Sequence, residues 1–165
     1  MKNNMFDTYI LLGSNLGNSK KYISDAIIEI VKEIGYVKAK SSLYQTAAWG
    51  KIDQPNFLNQ VVHVETKLNP EALLNSILSI EKKLGRERIE KWGSRIIDID
   101  ILFYDNQVID KADLVIPHPY LHLRRFTLMP LNEIAPNLIH PELSKSVSQL
   151  LHDLDDNLSV EKVEF

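Results

Sequence analysis

The chain has 165 residues, no cysteine and a formal net charge of −3, with 44% hydrophobic and 25% charged residues. This length and composition predict a single globular domain over residues 1–165, and the lack of cysteine excludes disulfides and cysteine zinc sites. The negative charge argues against a nucleic-acid partner, and no apolar run reaches the roughly 20 residues that span a bilayer. We therefore expect a soluble, cytoplasmic protein. A monomer is also expected, although no feature of the sequence determines the oligomeric state.

The first elements follow from local hydrophobic patterns. Thr8–Leu12 is a short apolar run that ends at Gly13 and predicts a buried strand. A helix is predicted over Ser19–Ile34, because Ile23, Ala26, Ile27, Ile30 and Ile34 fall on one stripe while lysines and a glutamate face water. Gly35 stands where a helix C-cap glycine would, and Val37–Tyr44 predicts the second strand.

The middle of the chain repeats this strand and helix order. Phe57–Thr66 follows the loop Thr46–Pro55 and alternates with a two-residue period, which predicts a third strand. Asn69 followed by Pro70 is typical of a helix start, and this helix should end at Gly85.

The later segments complete the predicted fold. Arg95–Tyr104 predicts a fourth strand, and a turn at Asp105-Asn106 could pair it with Gln107–Ile109. The proline-rich remainder predicts loops and short helices, with a last helix over Ser146–Leu154. The order of elements predicts an α+β, ferredoxin-like βαββαβ core, in which helices pack on an antiparallel sheet.

Two aspartates on the fourth strand point to metal chemistry. Asp98 and Asp100 should share one face, about 7 Å apart at Cα, whereas Ile97, Ile99, Ile101 and Phe103 should take the other. Two neighbouring carboxylates on an apolar strand repel each other, and a hard cation such as Mg2+ would relieve that repulsion. The alternative is an amphipathic strand with two solvated acids.

Cations surround this pair in the sequence. Arginine forks bind phosphate oxygens, and Mg2+ commonly completes its shell with substrate phosphates, so the combination suits a magnesium–nucleotide site. A surface ion-pair network is the alternative. No P-loop or dinucleotide fingerprint is present. The cations are Arg86, Arg88, Lys91, Arg95, His118, His122, Arg124 and Arg125.

A second cluster suits a flat heterocycle. Phe57 and Asn59 share a strand face, so that one could stack on a ring and the other could pair with its edge. Phe126 could supply the opposite stacking face, and backbone groups of the loop 46–50 could bind the remaining edge. Core packing is the alternative for both phenylalanines, but an Asn in the centre of a strand needs partners if buried.

Residues 91–102, KWGSRIIDIDIL, resemble the signature of the 6-hydroxymethyl-7,8-dihydropterin pyrophosphokinase family of folate biosynthesis. Further similar blocks occur in the same order from about Tyr9 to Pro141. They cover residues 9–16, 42–46, 53–59, 117–119, 126–131 and 133–136.

The resemblance implies that the protein transfers the β,γ-pyrophosphate of ATP to the pterin hydroxymethyl group and releases AMP. It implies two Mg2+ ions on Asp98 and Asp100, with Arg88 and Arg95 also catalytic. The implied ATP-side residues are Glu81, Arg86, Arg88, Trp92, Arg95, Ile101, His118 and Arg124. The implied pterin residues are Thr46, Ala47, Trp49, Phe57, Asn59 and Phe126.

The chain departs from some family members at a few places. Phe57 replaces a Tyr, Ala47 replaces a Pro, Lys91 replaces an Arg, and the stretch Glu87–Lys91 is one residue shorter. Two other functions stay open: a magnesium phosphotransferase or nucleotidyltransferase with a different acceptor, and a non-catalytic binding module. Whether the nucleotide product is AMP or ADP distinguishes the first alternative from a pyrophosphokinase. The second alternative predicts no magnesium-dependent ATP binding.

Overall fold

The computed structural model describes residues 4–46, 56–85 and 96–164. Six strands form one antiparallel sheet, and helices cover both of its faces. The strands of this sheet are β1 (Phe6–Ser14), β2 (Gly35–Lys40), β3 (Leu43–Thr46), β4 (Phe57–Thr66), β5 (Asp98–Tyr104) and β8 (Val160–Val163). A separate hairpin pairs β6 (Ile109–Lys111) with β7 (Leu114–Ile116).

The helices are α1 (Ser19–Glu33), α2 (Pro70–Lys83), α3 (Arg125–Ile134) and α4 (Val147–His152), with a 3-10 turn at Leu121–Leu123. The sheet order is β5-β1-β4-β3-β8, and β2 also pairs with β4. The α+β fold class and the ferredoxin-like core are therefore confirmed; the second strand of the predicted βαββαβ order is divided into β2 and β3, and β8 is added beside β3. Among the described residues, no helix combines the length and the apolar character needed to cross a membrane.

Two hydrophobic clusters hold the sheet between its helices. Alternate residues of the strands point to opposite faces, so β1 gives Ile10 and Leu12 to one cluster and Leu11 to the other. The first cluster packs against α1 and α2, and the second packs against α3 and α4. A sheet buried on both faces holds its register firmly, because a slip of one residue would exchange the two faces.

The predicted caps are confirmed for α2 but not for α1. The Asn69 side chain accepts a hydrogen bond from Ala72 N at 2.8 Å, and Pro70 is the first helical residue. Gly35 is not a cap glycine but the first residue of β2, and a Cβ there would lie 1.9 Å from the carbonyl oxygen of Glu65. A close approach of the β4 backbone therefore explains this glycine.

Two strand predictions were wrong. The segment predicted as one strand, Val37–Tyr44, forms β2 and β3 with a break at Ser41, whose hydroxyl oxygen accepts from Val61 N at 3.0 Å. The predicted hairpin after Tyr104 does not form, because Ile109 pairs with Ile116 of β7 instead of with β5. Such choices of partner are tertiary and leave little signal in the local pattern.

The structure also contains elements that the sequence did not place: strands β7 and β8, and helix α3, which was expected only as one of the short helices of the remainder. Helix α3 forms although Pro130 lies inside it, and its buried face completes the second cluster with Leu128 and Leu131. Strand β8 pairs antiparallel with β3, from Leu43 opposite Val163 to Thr46 opposite Val160.

Candidate active site

The two aspartates lie on β5, the edge strand of the sheet, and both are half-buried. Asp98 is opposite Gly13 of β1, and Asp100 is opposite Leu11, whereas Ile99 and Ile101 point into the first cluster. The prediction that the acids share one face is confirmed by this register.

Phe103 departs from the predicted alternation. The register shifts between Tyr9 and Ile10 of β1, which leaves Leu102 as an extra residue on β5. As a result Phe103 lies in the second cluster, on the same side as the aspartates. Beyond Asp100, Leu102 and Phe103 on this face are buried in the second cluster, so it is not a freely solvated face as an amphipathic strand would require.

A row of four residues crosses the sheet on this face. Asp98 pairs with Gly13, Gly13 pairs with Asn59 of β4, and Asn59 pairs with Tyr44 of β3. A Cβ on Gly13 would lie 2.8 Å from Asn59 Oδ1, so the absence of a side chain at Gly13 makes room for the amide. The aspartates and Asn59, which are far apart in the sequence, are thus separated by a single strand.

Asn59 is a buried amide with an unused donor. Its residue is only 3% exposed, and its Nδ2 has no hydrogen-bond partner within the described residues. Buried donors are normally paired, because an unpaired one costs about 1–3 kcal/mol. A buried donor without a partner, two residues after the start of β4, is therefore what a site for a hydrogen-bonding ligand would leave.

The two predicted stacking residues lie on the same side of the sheet. Phe57 begins β4, two residues before Asn59, and would contact a Cβ on Gly13 at 3.8 Å. Phe126 lies in the first turn of α3 and packs against the second cluster. Thr46 is opposite Phe57 and is buried, and its hydroxyl donates to the carbonyl of Ser159 at 2.9 Å.

Tyr44 and Glu133 fix α3 above this row, and neither was singled out from the sequence. The Tyr44 hydroxyl donates to Glu133 Oε1 at 2.8 Å, and Ser42 N donates to the same carboxylate. Burial and the adjacent Glu133 carboxylate raise the pKa of Tyr44 above its usual value, which keeps the hydroxyl a donor.

Glu81 acts on the aspartate strand through the backbone. It lies on α2, is 4% exposed, and its Oε2 accepts a hydrogen bond from Ile99 N at 2.9 Å. Because β5 is an edge strand, its outward N–H groups need partners from outside the sheet. Glu81 thus supports the residue between the two aspartates.

His118 faces the aspartates from the segment after β7. Its backbone N donates to Leu102 O at 3.0 Å, and its Nε2 lies 4.0 Å from Asp100 Oδ2. Tyr120 N donates to Nδ1 at 3.1 Å, so Nε2 must carry the ring proton when the imidazole is neutral. Burial, with the nearby charge of Arg124, lowers the pKa of His118 to about 4, although Asp98 opposes this shift. The ring is therefore a neutral donor at pH 7.

Arg124 connects the two predicted halves of the site. It is only 6% exposed, and its guanidinium carbon lies 4.9 Å from the centre of the Tyr120 ring and 5.4 Å from that of Phe126. A buried arginine packed against two rings loses little rotamer freedom when it binds an anion. The guanidinium therefore lies between the His118 segment and the ring that was predicted to stack on the heterocycle.

An apolar cavity of about 280 Å³ opens beside β5. Ile77 of α2 and Ile99 and Ile101 of β5 give it apolar walls, while Asp100 and His118 line it with polar groups. Ligand sites are commonly apolar clefts with a few polar groups, on the order of 300 Å³ or more. Ile101 and Asp100 therefore line the same cavity.

Several predicted site residues lie outside the described residues. They are Ala47, Trp49, Arg86, Arg88, Lys91, Trp92 and Arg95, and the polar loop 86–94 falls there too. Their roles stay predictions.

Comparison with known proteins decides the family. Residues 9–136 match the model of the 7,8-dihydro-6-hydroxymethylpterin-pyrophosphokinase (HPPK) family. The chain belongs to the HPPK family. A relative from Aquifex aeolicus named 2-amino-4-hydroxy-6-hydroxymethyldihydropteridine pyrophosphokinase is 44% identical over 145 residues, covering 88% of this chain and 90% of the relative. A relative of the same name from Methylorubrum extorquens is 40% identical over 97% of this chain and 100% of its own length.

Solved structures agree with the fold. The HPPK-DHPS triple mutant of Plasmodium falciparum superposes with a TM-score of 0.78 at 21% identity, over 92% of this chain and 44% of that one. The chain therefore spans less than half of this larger protein. The resemblance found in the sequence is confirmed, because residues 9–136 match the HPPK model and relatives named as pyrophosphokinases align with most of the chain.

The donors that face the site suit a hard cation only in part. Among the described ranges, no group of three or more His, Cys, Asp or Glu side chains could hold a metal ion. Asp98 and Asp100 provide carboxylate oxygens alone, as Mg2+ prefers, and Mg2+ commonly takes its other ligands from water and phosphate. The residues thus fit a magnesium ion that arrives with a nucleotide better than a resident metal.

Proposed function

We propose that this HPPK-family chain transfers pyrophosphate from ATP to 6-hydroxymethyl-7,8-dihydropterin, releasing AMP, in folate biosynthesis. The observation that carries the proposal is the row Asp98–Gly13–Asn59, which sets a carboxylate pair one strand away from a buried amide with an unused donor. A phosphate-bearing substrate on one side and a heterocycle on the other would meet across Gly13.

On the nucleotide side, the base of ATP enters the cavity beside Ile101 and the phosphates extend toward Asp98 and Asp100. Neutral His118 donates from Nε2, and buried Arg124 offers its fork to phosphate oxygens. Glu81 keeps the aspartate strand in place through Ile99 N. Arg86, Arg88, Trp92 and Arg95 complete this side, and Arg88 and Arg95 stabilise the charge of the transferred group.

On the pterin side, the ring stacks between Phe57 and Phe126, and the Asn59 amide pairs with its edge. The pairing uses Nδ2, the donor that has no partner within the described residues. Thr46, Ala47 and Trp49 close the remaining edge. Because Phe57 has no hydroxyl, its contribution is stacking alone, worth about 1 kcal/mol beyond burial.

The chemistry asks for positioning more than for covalent work. The pterin hydroxyl oxygen attacks the β-phosphorus of ATP while AMP leaves in line. Asp98 and Asp100 would hold magnesium, which neutralises phosphate charge when bound; two such ions are proposed. The neutral state of His118 allows it to donate to a phosphate oxygen without competing with the metal for Asp100.

The test is product analysis. The protein is incubated with ATP and Mg2+, with and without 6-hydroxymethyl-7,8-dihydropterin, and nucleotides are separated by chromatography. We expect pterin-dependent AMP and no ADP; ADP would indicate transfer of a single phosphate, and AMP without the pterin would indicate hydrolysis. Asp100→Ala should abolish the AMP signal, whereas Asp110→Ala, at an exposed acid of β6, serves as the matched control.

A further inference from the structure

The C-terminal segment 153–163 lies beyond the matched family region 9–136, yet it contacts both sides of the proposed pterin site. It leaves α4 at Asp153, reaches the start of α3, and continues into β8 beside β3. Two of its residues, three positions apart, make these contacts. They are Asp156 and Ser159.

Asp156 caps α3 from a distance in the sequence. The N-cap residue of α3, Arg124, makes no side-chain cap bond, and Asp156 Oδ2 accepts from Arg125 N at 2.9 Å in its place. The Arg125 guanidinium donates two hydrogen bonds to the carbonyl oxygen of Asp156, from Nε at 3.1 Å and from Nη2 at 3.0 Å. Leu158 N donates to the other carboxylate oxygen of Asp156, Oδ1, at 3.0 Å. A carboxylate at a helix N-terminus also interacts favourably with the helix dipole.

The same segment holds the end of β3. The carbonyl of Ser159 accepts from the Thr46 hydroxyl at 2.9 Å, and Val160 pairs with Thr46 in the ladder. Thr46 is 3% exposed and is opposite Phe57, so its position affects the strand that begins with the first stacking ring. Phe126, the second ring, follows Arg125 directly.

We infer that residues 156–160 brace the two aromatic walls of the pterin site, with Asp156 as the positioning residue. This inference rests on the proposed function. Without the Asp156 cap, the first turn of α3 frays and Phe126 no longer keeps one position, so ligand binding must bear the cost of ordering it. Arg124 is affected less, because it also packs on the Tyr120 ring.

The experiment compares Asp156→Ala with Asp156→Asn and with Asp155→Ala. Asp155 is exposed and adjacent, and it makes no hydrogen bond or ion pair with the described residues, so its substitution removes the same charge without removing a contact. Pterin affinity is measured by calorimetry with a non-hydrolysable ATP analogue and Mg2+ present, and kcat and KM are measured for both substrates.

We expect Asp156→Ala to raise the Kd and KM for the pterin by about fivefold, the usual effect of losing a helix cap. The ATP analogue should bind within about twofold of the wild type, and kcat should change little. Asp156→Asn should restore most of the pterin affinity, because its amide oxygen can still accept from Arg125 N. Asp155→Ala should behave as wild type.

A second readout does not depend on activity. Amide exchange of Arg125, followed by NMR on the free protein, should become faster in Asp156→Ala and stay unchanged in Asp155→Ala. If Asp156→Ala fails to fold, Arg125→Ala takes its place, because it removes only the two guanidinium bonds.

The outcomes distinguish a failure of the inferred brace from a failure of the proposed function. Unchanged pterin affinity in Asp156→Ala overturns the brace, and so does an equal loss for pterin and ATP analogue that follows the drop in melting temperature. If the wild-type protein neither binds nor converts the pterin, the proposed function fails, while the Arg125 exchange rate still decides whether Asp156 orders α3.

Discussion

Gly13 gives the sharpest test of the row across the sheet. Its backbone is ordinary strand, so alanine is allowed there conformationally, and the effect of Gly13→Ala depends on space alone. The new Cβ would lie 2.8 Å from Asn59 Oδ1, whereas ordinary contact starts at 3.4 Å, so the amide must move by about 0.6 Å.

The cost follows from the surroundings of Asn59. Overpacking a buried site lowers the free energy of unfolding by about 1–3 kcal/mol. Replacing Gly with Ala also reduces the conformational entropy of the unfolded chain, which offsets about 0.4–1 kcal/mol of that loss. Two hydrogen bonds from the displaced amide to a ligand would weaken, at about 0.5–1.5 kcal/mol each. We therefore expect a slightly lower melting temperature and a pterin Kd raised by about 10- to 100-fold.

The assay is a double-mutant cycle on pterin binding, with ATP-analogue binding as the internal control. Asn59→Ala alone should weaken pterin binding strongly and ATP binding little. If Gly13 acts through Asn59, adding Gly13→Ala to Asn59→Ala should cause almost no further loss. Equal losses in both backgrounds, or normal pterin binding by Gly13→Ala, would refute this reasoning.

Three further predictions concern other parts of the molecule. Asp100→Ala should lose most of kcat with its melting temperature preserved; near-normal turnover with Mg2+ would reject the metal role. Glu81→Ala should cost about 1–3 kcal/mol of unfolding free energy by leaving Ile99 N buried without its 2.9 Å acceptor, whereas Glu81→Gln should recover most of it, as chemical denaturation will report. His140 is 4% exposed, and burial together with His122 lowers its pKa, so the unfolded chain takes up the proton first and stability should fall as the pH drops below about 6.5. His140→Asn keeps an acceptor for Glu142 N and Leu143 N, and it should flatten this fall in unfolding free energy between pH 7 and pH 5; an unchanged slope would contradict the assignment.

Much of the core could be predicted from the sequence because its signals are local. The bounds of β4 match the alternating segment Phe57–Thr66, and α2 begins where Asn69 and Pro70 predict. The two-residue period alone puts Asp98 and Asp100 on one face and Ile99 and Ile101 on the other. These features depend on neighbours within a few residues, so the pattern contains them.

The family resemblance extended that local information to the site. It associated the aspartate strand with Asn59 and Phe126, and the HPPK match confirms the family. The particular role of each residue stays a prediction.

Tertiary structure alone decided the features that depend on distant partners. The extra residue Leu102 turns Phe103 to the aspartate side, because the register against β1 is a property of two strands and not of one. Ile109 finds Ile116 instead of β5, and β8 joins β3 across more than a hundred residues.

The site itself shows the same division. The sequence by itself predicted the chemistry of the site: two carboxylates, an amide within a strand, two rings and several arginines. Only the folded sheet brought Asp98 within one strand of Asn59, placed the Asn59 amide in the space beside Gly13, and set Asp156 against the start of α3. Strand register, close backbone approach and a cap supplied from 31 residues away are non-local contacts, which no short pattern of residues records.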